Sequence, residues 1–267
     1  MALRAVFFDY GETLVRTMTP LADLAPESLD GLVAALLPAL PRLDGDRLRR
    51  DFSYLRSVGR HWAAAELLET PATVTLHLAL ELQGLDFDEA LLLRGVEGYF
   101  AAEEALYAPI EGMRELLAEL KRQRLKLGLI SNATSPELVC RVLGRFHMLL
   151  LLDTVVISAE VGRRKPHAAI FEQALLRLGV EPSEAVMVGD LPETDVAGAR
   201  AIGCHSVLVD FPRPGRPAAK PDPAPDAVVR SPAELLGAIR KLCAEESQKA
   251  LPEAPRPAEI SSPGNGS

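Results

Sequence analysis

The chain has few residues of the kinds that staple or stack a fold. Its three cysteines, Cys140, Cys204 and Cys243, are odd in number and too far apart for a Cys-x-x-Cys zinc or redox motif. That excludes a disulfide framework and fits a reducing interior. Aromatic residues make up only 5% of 267, and no apolar run reaches membrane-spanning length. The apolar stretch Ala5–Phe8 is cut off by Asp9, too short for the core of a secretory leader, so a cytoplasmic protein with no membrane partner is expected. A basic excess is missing too: 29 Lys and Arg stand against 37 Asp and Glu, a net charge of −8, which speaks against a nucleic-acid partner.

What is abundant is aliphatic. A hydrophobic content of 48% supplies a sizeable core and excludes wholesale disorder, and its Leu and Ala favour helices. Short apolar runs at 3–8, 126–130, 154–157, 185–188 and 206–209 alternate with helix-like segments. Runs of that kind read as strands buried on both faces, so an α/β fold with a parallel sheet is predicted. A short strand is added at 227–229, and a helix is expected over 112–124.

The stretch after the first run differs. Periodic Leu and Ala predict four amphipathic helices at 29–40, 48–68, 74–82 and 89–105, with Asp44 and Asp86 as N-caps. The expected organisation is a Rossmann-like core (1–15 and 108–243), an all-helical cap inserted at 16–107, and a tail at 244–267 expected to be disordered. The Pro-rich basic stretch 211–225 reads as a surface loop.

In open parallel sheets, ligands bind beyond the carboxyl ends of the strands. Asp9 follows the first run, Ser131 and Asn132 the second, and Asp190 and then Asp195 the fourth, while Lys165 follows the third at some distance. Carboxylates gathered at one edge repel unless a cation compensates them, and all-oxygen ligation suits Mg²⁺. An ionised Asp can attack phosphorus while a Lys and a hydroxyl stabilise the transferring group. The chemistry these residues point to is phosphoryl transfer.

The run Phe7-Phe8-Asp9-Tyr10-Gly11-Glu12-Thr13-Leu14 resembles the first motif of the haloacid dehalogenase-like superfamily, usually Asp-x-Asp-Gly-Thr-Leu. Leu129-Ile130-Ser131-Asn132 is similar to its second motif and Lys165-Pro166 with Ala169-Ile170-Phe171 to its third. Val188-Gly189-Asp190 through Asp195-Val196-Ala197-Gly198-Ala199 is similar to its fourth. Each is weak alone, but all stand in the right order, and the resemblance spans nearly the whole chain except the tail. It implies a Mg²⁺-dependent phosphatase for a small phosphorylated metabolite. Asp9 would be the nucleophile forming an aspartyl-phosphate, and Asp9, the Gly11 carbonyl and Asp190 would hold the metal. Ser131 would bond the phosphoryl oxygens, Lys165 would neutralise Asp9 and the phosphate, Asn132 would position Asp9 or the phosphate, and Asp195 would support the metal's waters or Lys165. Thr13 would shape the loop.

The chain departs from that pattern at one point. Phosphatases of this superfamily usually carry a second Asp as general acid and base where this chain has Gly11, and commonly Gly where it has Glu12. General acid–base catalysis is worth about 10² to 10⁴-fold. Two alternatives therefore stay open: a weak or inactive member that binds a phosphometabolite or a partner, and a 2-haloacid dehalogenase, whose halide leaves without a proton. Arg56, Arg60, His61 and Trp62 fall together on one predicted helix. The expectation is packing for Trp62 and a solvated face for the others, against contact with substrate on closure. His167 stands where the superfamily often has Asp.

Overall fold

The computed structural model describes residues 3–17, 21–212 and 222–249. Its strands are β1 (Ala5–Phe8), β2 (Val15–Thr17), β3 (Tyr107–Pro109), β4 (Lys126–Ser131), β5 (Thr154–Ile157), β6 (Ala185–Gly189), β7 (His205–Val209) and β8 (Ala227–Val229). Its α-helices are α1 (Ala25–Leu36), α2 (Gly45–Glu66), α3 (Ala72–Glu81), α4 (Glu89–Leu106), α5 (Met113–Arg122), α6 (Pro136–Arg145), α7 (Ser158–Val161), α8 (Ala168–Leu178), α9 (Ala197–Ala201) and α10 (Pro232–Lys249). Among the described residues no helix is long and apolar enough to cross a membrane.

Six strands make one parallel sheet in the order β5-β4-β1-β6-β7-β8. The apolar runs are continuous because both faces are covered. Val6 and Phe8 of β1 join Leu127, Leu129, Val186 and Val188 in a core completed by α5, α6 and α10. Ala5 and Phe7, pointing the other way, join Ile130, Val156 and Met187 beneath α8 and α9. This is a Rossmann-like α/β fold. The chain builds outward from β1 through β4 to β5, then crosses to β6 on the other side of β1, so a crevice opens at the carboxyl end of β1.

Helices α1 to α4 lie between β2 and β3, which pair antiparallel with Val15 opposite Pro109, so the chain leaves and re-enters the core at one point. Inside the insert, α1 and α4 meet at Gly31 and Gly98, where a Cβ on either residue would collide with the backbone carbonyl of the other. Asp44 caps α2 by accepting from Arg47 N at 2.9 Å. The expected cap at Asp86 is corrected to Asp88, which accepts from Leu91 N at 2.8 Å, because the capping residue must directly precede Glu89, where α4 begins. The expected tail is also corrected at its start, since α10 runs through 244 to Lys249. Positions 250–267 lie outside the described residues, as does most of the expected 211–225 loop, at 213–221.

Candidate active site

Asp9 sits one residue past β1 and is held in line with the sheet by donating its N–H to Val188 O at 2.8 Å. The chain then turns tightly: Leu14 N donates to Tyr10 O at 3.0 Å and Glu12 N to Val15 O at 2.6 Å. Glu12 has φ of 56°, a left-handed conformation that only glycine adopts freely, which is a physical reason for glycine at this place in the resembled motif. Thr13 is fully buried inside the turn, its Oγ1 without a hydrogen-bond partner among the described residues. At Gly11 a Cβ would meet nothing within 4 Å.

Lys165 is the hub. Its Nζ lies 2.6 Å from Asp9 Oδ1 and 2.6 Å from Asp195 Oδ1, and it donates to Ile130 O at 2.8 Å. Asn132 clamps the Lys165 backbone from both sides, accepting from its N–H at 2.8 Å and donating to its carbonyl at 3.1 Å. Ser131, buried at the end of β4, and Asp190, buried just after β6, complete the rim. Asp195 reaches inward because Pro192–Val196 forms one wide turn of π geometry, tied by Leu191 N donating to Asp195 Oδ2 at 3.1 Å. A Cβ at Gly189 would overlap the Asp195 carboxylate, so glycine is required where β6 passes it.

The electrostatics follow from burial. Desolvation alone would push the Lys165 ammonium down, but Asp195 and Asp9 outweigh it and hold its pKa above the ordinary lysine value. Burial pushes the Asp195 carboxyl above the usual carboxylate range against the pull of Lys165. Asp9, Asp190 and Asp195 each bring a carboxylate oxygen to within 4.8 Å of the others. Three carboxylates this close repel one another, and an all-oxygen donor set fits a hard divalent cation such as Mg²⁺.

The site has parts that the sequence did not suggest. Glu69, between α2 and α3, buries its side chain, accepts from Ser158 Oγ at 2.6 Å and pairs with Arg164, beside Lys165. Two cavities, of 520 and 690 Å³, lie between insert and core and share Arg56, Arg60, Asn132 and Thr134. The expected solvated face therefore does not hold for Arg56, which is half-buried and donates to Thr134 Oγ1 at 2.8 Å. Trp62, expected to pack, is 48% exposed. His167 is a helix cap, its Nδ1 accepting from Ala169 N at 3.1 Å. No sequence signal could have found Glu69, whose partners are set only by the fold.

The profile of the haloacid dehalogenase-like hydrolases matches residues 3–203. The chain is similar to a glyceraldehyde 3-phosphate phosphatase of Methanopyrus kandleri, 28% identical over 90% of this chain and 98% of the relative. A protein of the same description from Methanothermobacter thermautotrophicus is 31% identical over 78% of this chain and 86% of its own. Among solved structures, a 2-haloacid dehalogenase from Pseudomonas syringae superposes with a TM-score of 0.64 at 26% identity, covering 90% of this chain and 99% of that one. The motifs, the sheet order and the profile match converge, and the chain belongs to the haloacid dehalogenase-like hydrolases.

Proposed function

We propose that this hydrolase is a Mg²⁺-dependent phosphatase that takes a small phosphorylated metabolite through an aspartyl-phosphate on Asp9. The observation that carries the reading is the convergence of Asp9, Asp190 and Asp195, with one buried lysine bridging Asp9 and Asp195. Displacing halide from carbon needs a nucleophilic carboxylate and one further acid to activate water against the resulting ester, but no cation, so three converging carboxylates fit the metal reading better. The phosphatase names of the relatives support the same choice. Free cysteines are in keeping with a reducing, cytoplasmic setting. Asp9, Asp190 and the Gly11 carbonyl would hold Mg²⁺, which when bound supplies positive charge against the phosphoryl oxygens.

The chain's own groups account for the rest. Lys165 engages Oδ1 of Asp9, which orients the carboxylate and leaves Oδ2 for attack. A bond forms from Asp9 to phosphorus as the ester P–O bond breaks, and the leaving alkoxide departs with the electron pair. It takes its proton from water, because Gly11 offers no acid. The Lys165 ammonium and the Ser131 hydroxyl stabilise the phosphoryl oxygens, while Asp195 and Asn132 keep Lys165 in place. Water then attacks phosphorus, releasing inorganic phosphate and the Asp9 carboxylate.

The deciding measurement is p-nitrophenyl phosphate hydrolysis with Mg²⁺ and with EDTA, since this leaving group needs little protonation. Turnover is expected with Mg²⁺, to fall about 10²-fold or more in EDTA, and to return with excess Mg²⁺. Failure to hydrolyse any activated or natural phosphate ester overturns the reading, and metal-free chloride release from a 2-haloacid would replace it.

Gly11→Asp tests the missing acid directly. Position 11 has room for a side chain and no left-handed backbone to oppose one. The variant is expected to gain about 10²-fold on alkyl phosphates, whose leaving groups need a proton, and little on p-nitrophenyl phosphate. Equal effects on both would mean that the new carboxyl does not act as an acid.

A further inference from the structure

The segment joining α2 to α3 is sewn onto the core beside the reacting lysine. Arg164 N donates to Leu67 O at 2.9 Å and Glu69 N to Gly162 O at 3.1 Å, a short antiparallel bridge centred on Leu68 and Arg163. Arg163 Nη1 donates to Glu66 O at 3.0 Å, and Ala72 N to Thr134 O at 2.9 Å. Within this seam the Glu69 side chain is 3% exposed, and a carboxylate so buried must be partnered. Two core residues meet one of its oxygens: Oε2 accepts from Ser158 Oγ at 2.6 Å and pairs with Arg164. Ser158 Oγ in turn accepts from Ala133 N at 3.0 Å. Ala133 follows Asn132, whose side chain clamps the Lys165 main chain, and Arg164 immediately precedes Lys165. One carboxylate of the insert therefore fixes both segments of main chain that set Lys165. A salt bridge that only fastened the insert would have no need of that placement.

We infer that Glu69 is a positioning residue: it holds the Lys165 ammonium on Asp9 through Arg164 on one side and through Ser158, Ala133 and Asn132 on the other. The effect on turnover rests on the phosphatase reading above, whereas the placement of Lys165 does not. Loss of the Glu69 carboxylate takes the shared acceptor from Arg164 and Ser158, so the two segments part and Lys165 loses its register against Asp9 and Asp195. Displacing a reacting group by about 1 Å costs up to about 10²-fold in rate.

With Mg²⁺ and p-nitrophenyl phosphate, Glu69→Ala is expected to lower kcat about 10- to 100-fold while KM stays within about threefold. Glu69→Gln keeps an oxygen where Oε2 accepts both bonds and is expected to recover most of that loss. Reductive methylation of the metal-free protein with formaldehyde and a borane, followed peptide by peptide by mass spectrometry, reads the placement without turnover. Lys165, buried and bonded to Asp9, Asp195 and Ile130, should resist in the wild-type protein and in Glu69→Gln. In Glu69→Ala it should react about tenfold faster or more. Lys126, at the other end of β4 with its Nζ donating to Leu178 O at 2.5 Å, reports on the rest of the core and should be unchanged.

Lys165 protected as in the wild-type protein overturns the inference, and so does Lys126 released along with it, since that shows general loosening. A normal kcat in Glu69→Ala overturns it as well, whether KM is unchanged or is raised by a lost contact with substrate. Should Glu69→Ala fail to fold, Ser158→Ala removes one arm alone, and the same readouts decide: slower turnover with Lys165 released upholds the inference, and no change in either overturns it. If the wild-type protein hydrolyses no ester, methylation alone decides the placement, and only the phosphatase reading fails.

Discussion

Asp9→Asn is expected to lower kcat for p-nitrophenyl phosphate more than about 10⁴-fold, because it removes the group that forms the covalent intermediate. The substitution is nearly isosteric, and Lys165 keeps its partner Asp195 at 2.6 Å, so the fold should persist. It also relieves the crowding of three buried carboxylates, which makes a loss of stability the less plausible cause of inactivity. Acid quenching during turnover should recover phosphate on the peptide containing Asp9 in the wild-type protein and none in the variant. Activity within tenfold of wild type would remove Asp9 from the nucleophile's role.

Lys165→Met is expected to damage both stability and chemistry. The ion pairs it breaks are buried, with side-chain exposures of 2% for Lys165, 2% for Asp195 and 12% for Asp9. Removing one partner of such a pair costs about 3–5 kcal/mol. For a domain of this size that is a fall in Tm of roughly 6–20 °C. Without the ammonium, Asp195 loses the pull that opposes its burial, and its carboxyl binds a proton more tightly in the folded state than in the unfolded chain. The deficit is therefore full at neutral pH and shrinks as the pH falls through the acidic range. Added Mg²⁺ should restore part of the stability by compensating the same carboxylates, while turnover stays down more than about 10³-fold for want of charge beside the phosphoryl group. A Tm unchanged in metal-free buffer would mean that Lys165 is not the group that balances the acids.

The core of the site was readable because strands buried on both faces leave long apolar runs, and the polar residue ending each run is visible by contrast. Asp9, Ser131 and Asp190 stand out in this way, and the structure gathers them with Lys165 and Asp195 at one sheet edge. Strands β2 and β3, three residues each, carry too little pattern to be seen. Arg56 was misread because helical periodicity tells which residues share a face, not which distant segment covers it. Here Thr134 covers Arg56 and leaves Trp62 in solvent. The slip from Asp88 to Asp86 has a smaller cause: two acids flank the same turn, and only backbone geometry says which one precedes the first helical residue.

The position of β1 bears on how the chain is made. Its residue Ala5 pairs with Lys126 on one side and Ala185 on the other, so the first strand synthesised keeps an unpaired edge until β6 is made. At translation rates of about 5–20 residues per second, roughly 10–35 s pass between the appearance of Ala5 and that of β6. Throughout that interval the Ala-Val-Phe-Phe segment has an open edge, a template for pairing with other chains. The helical insert, closed by α1 packing on α4, is complete before β4 is made and is able to fold meanwhile. Because Asp9 and Asp190 come together only when β1 and β6 pair, recovery of turnover on refolding reports the slowest long-range step, whereas recovery of helix content reports the fastest.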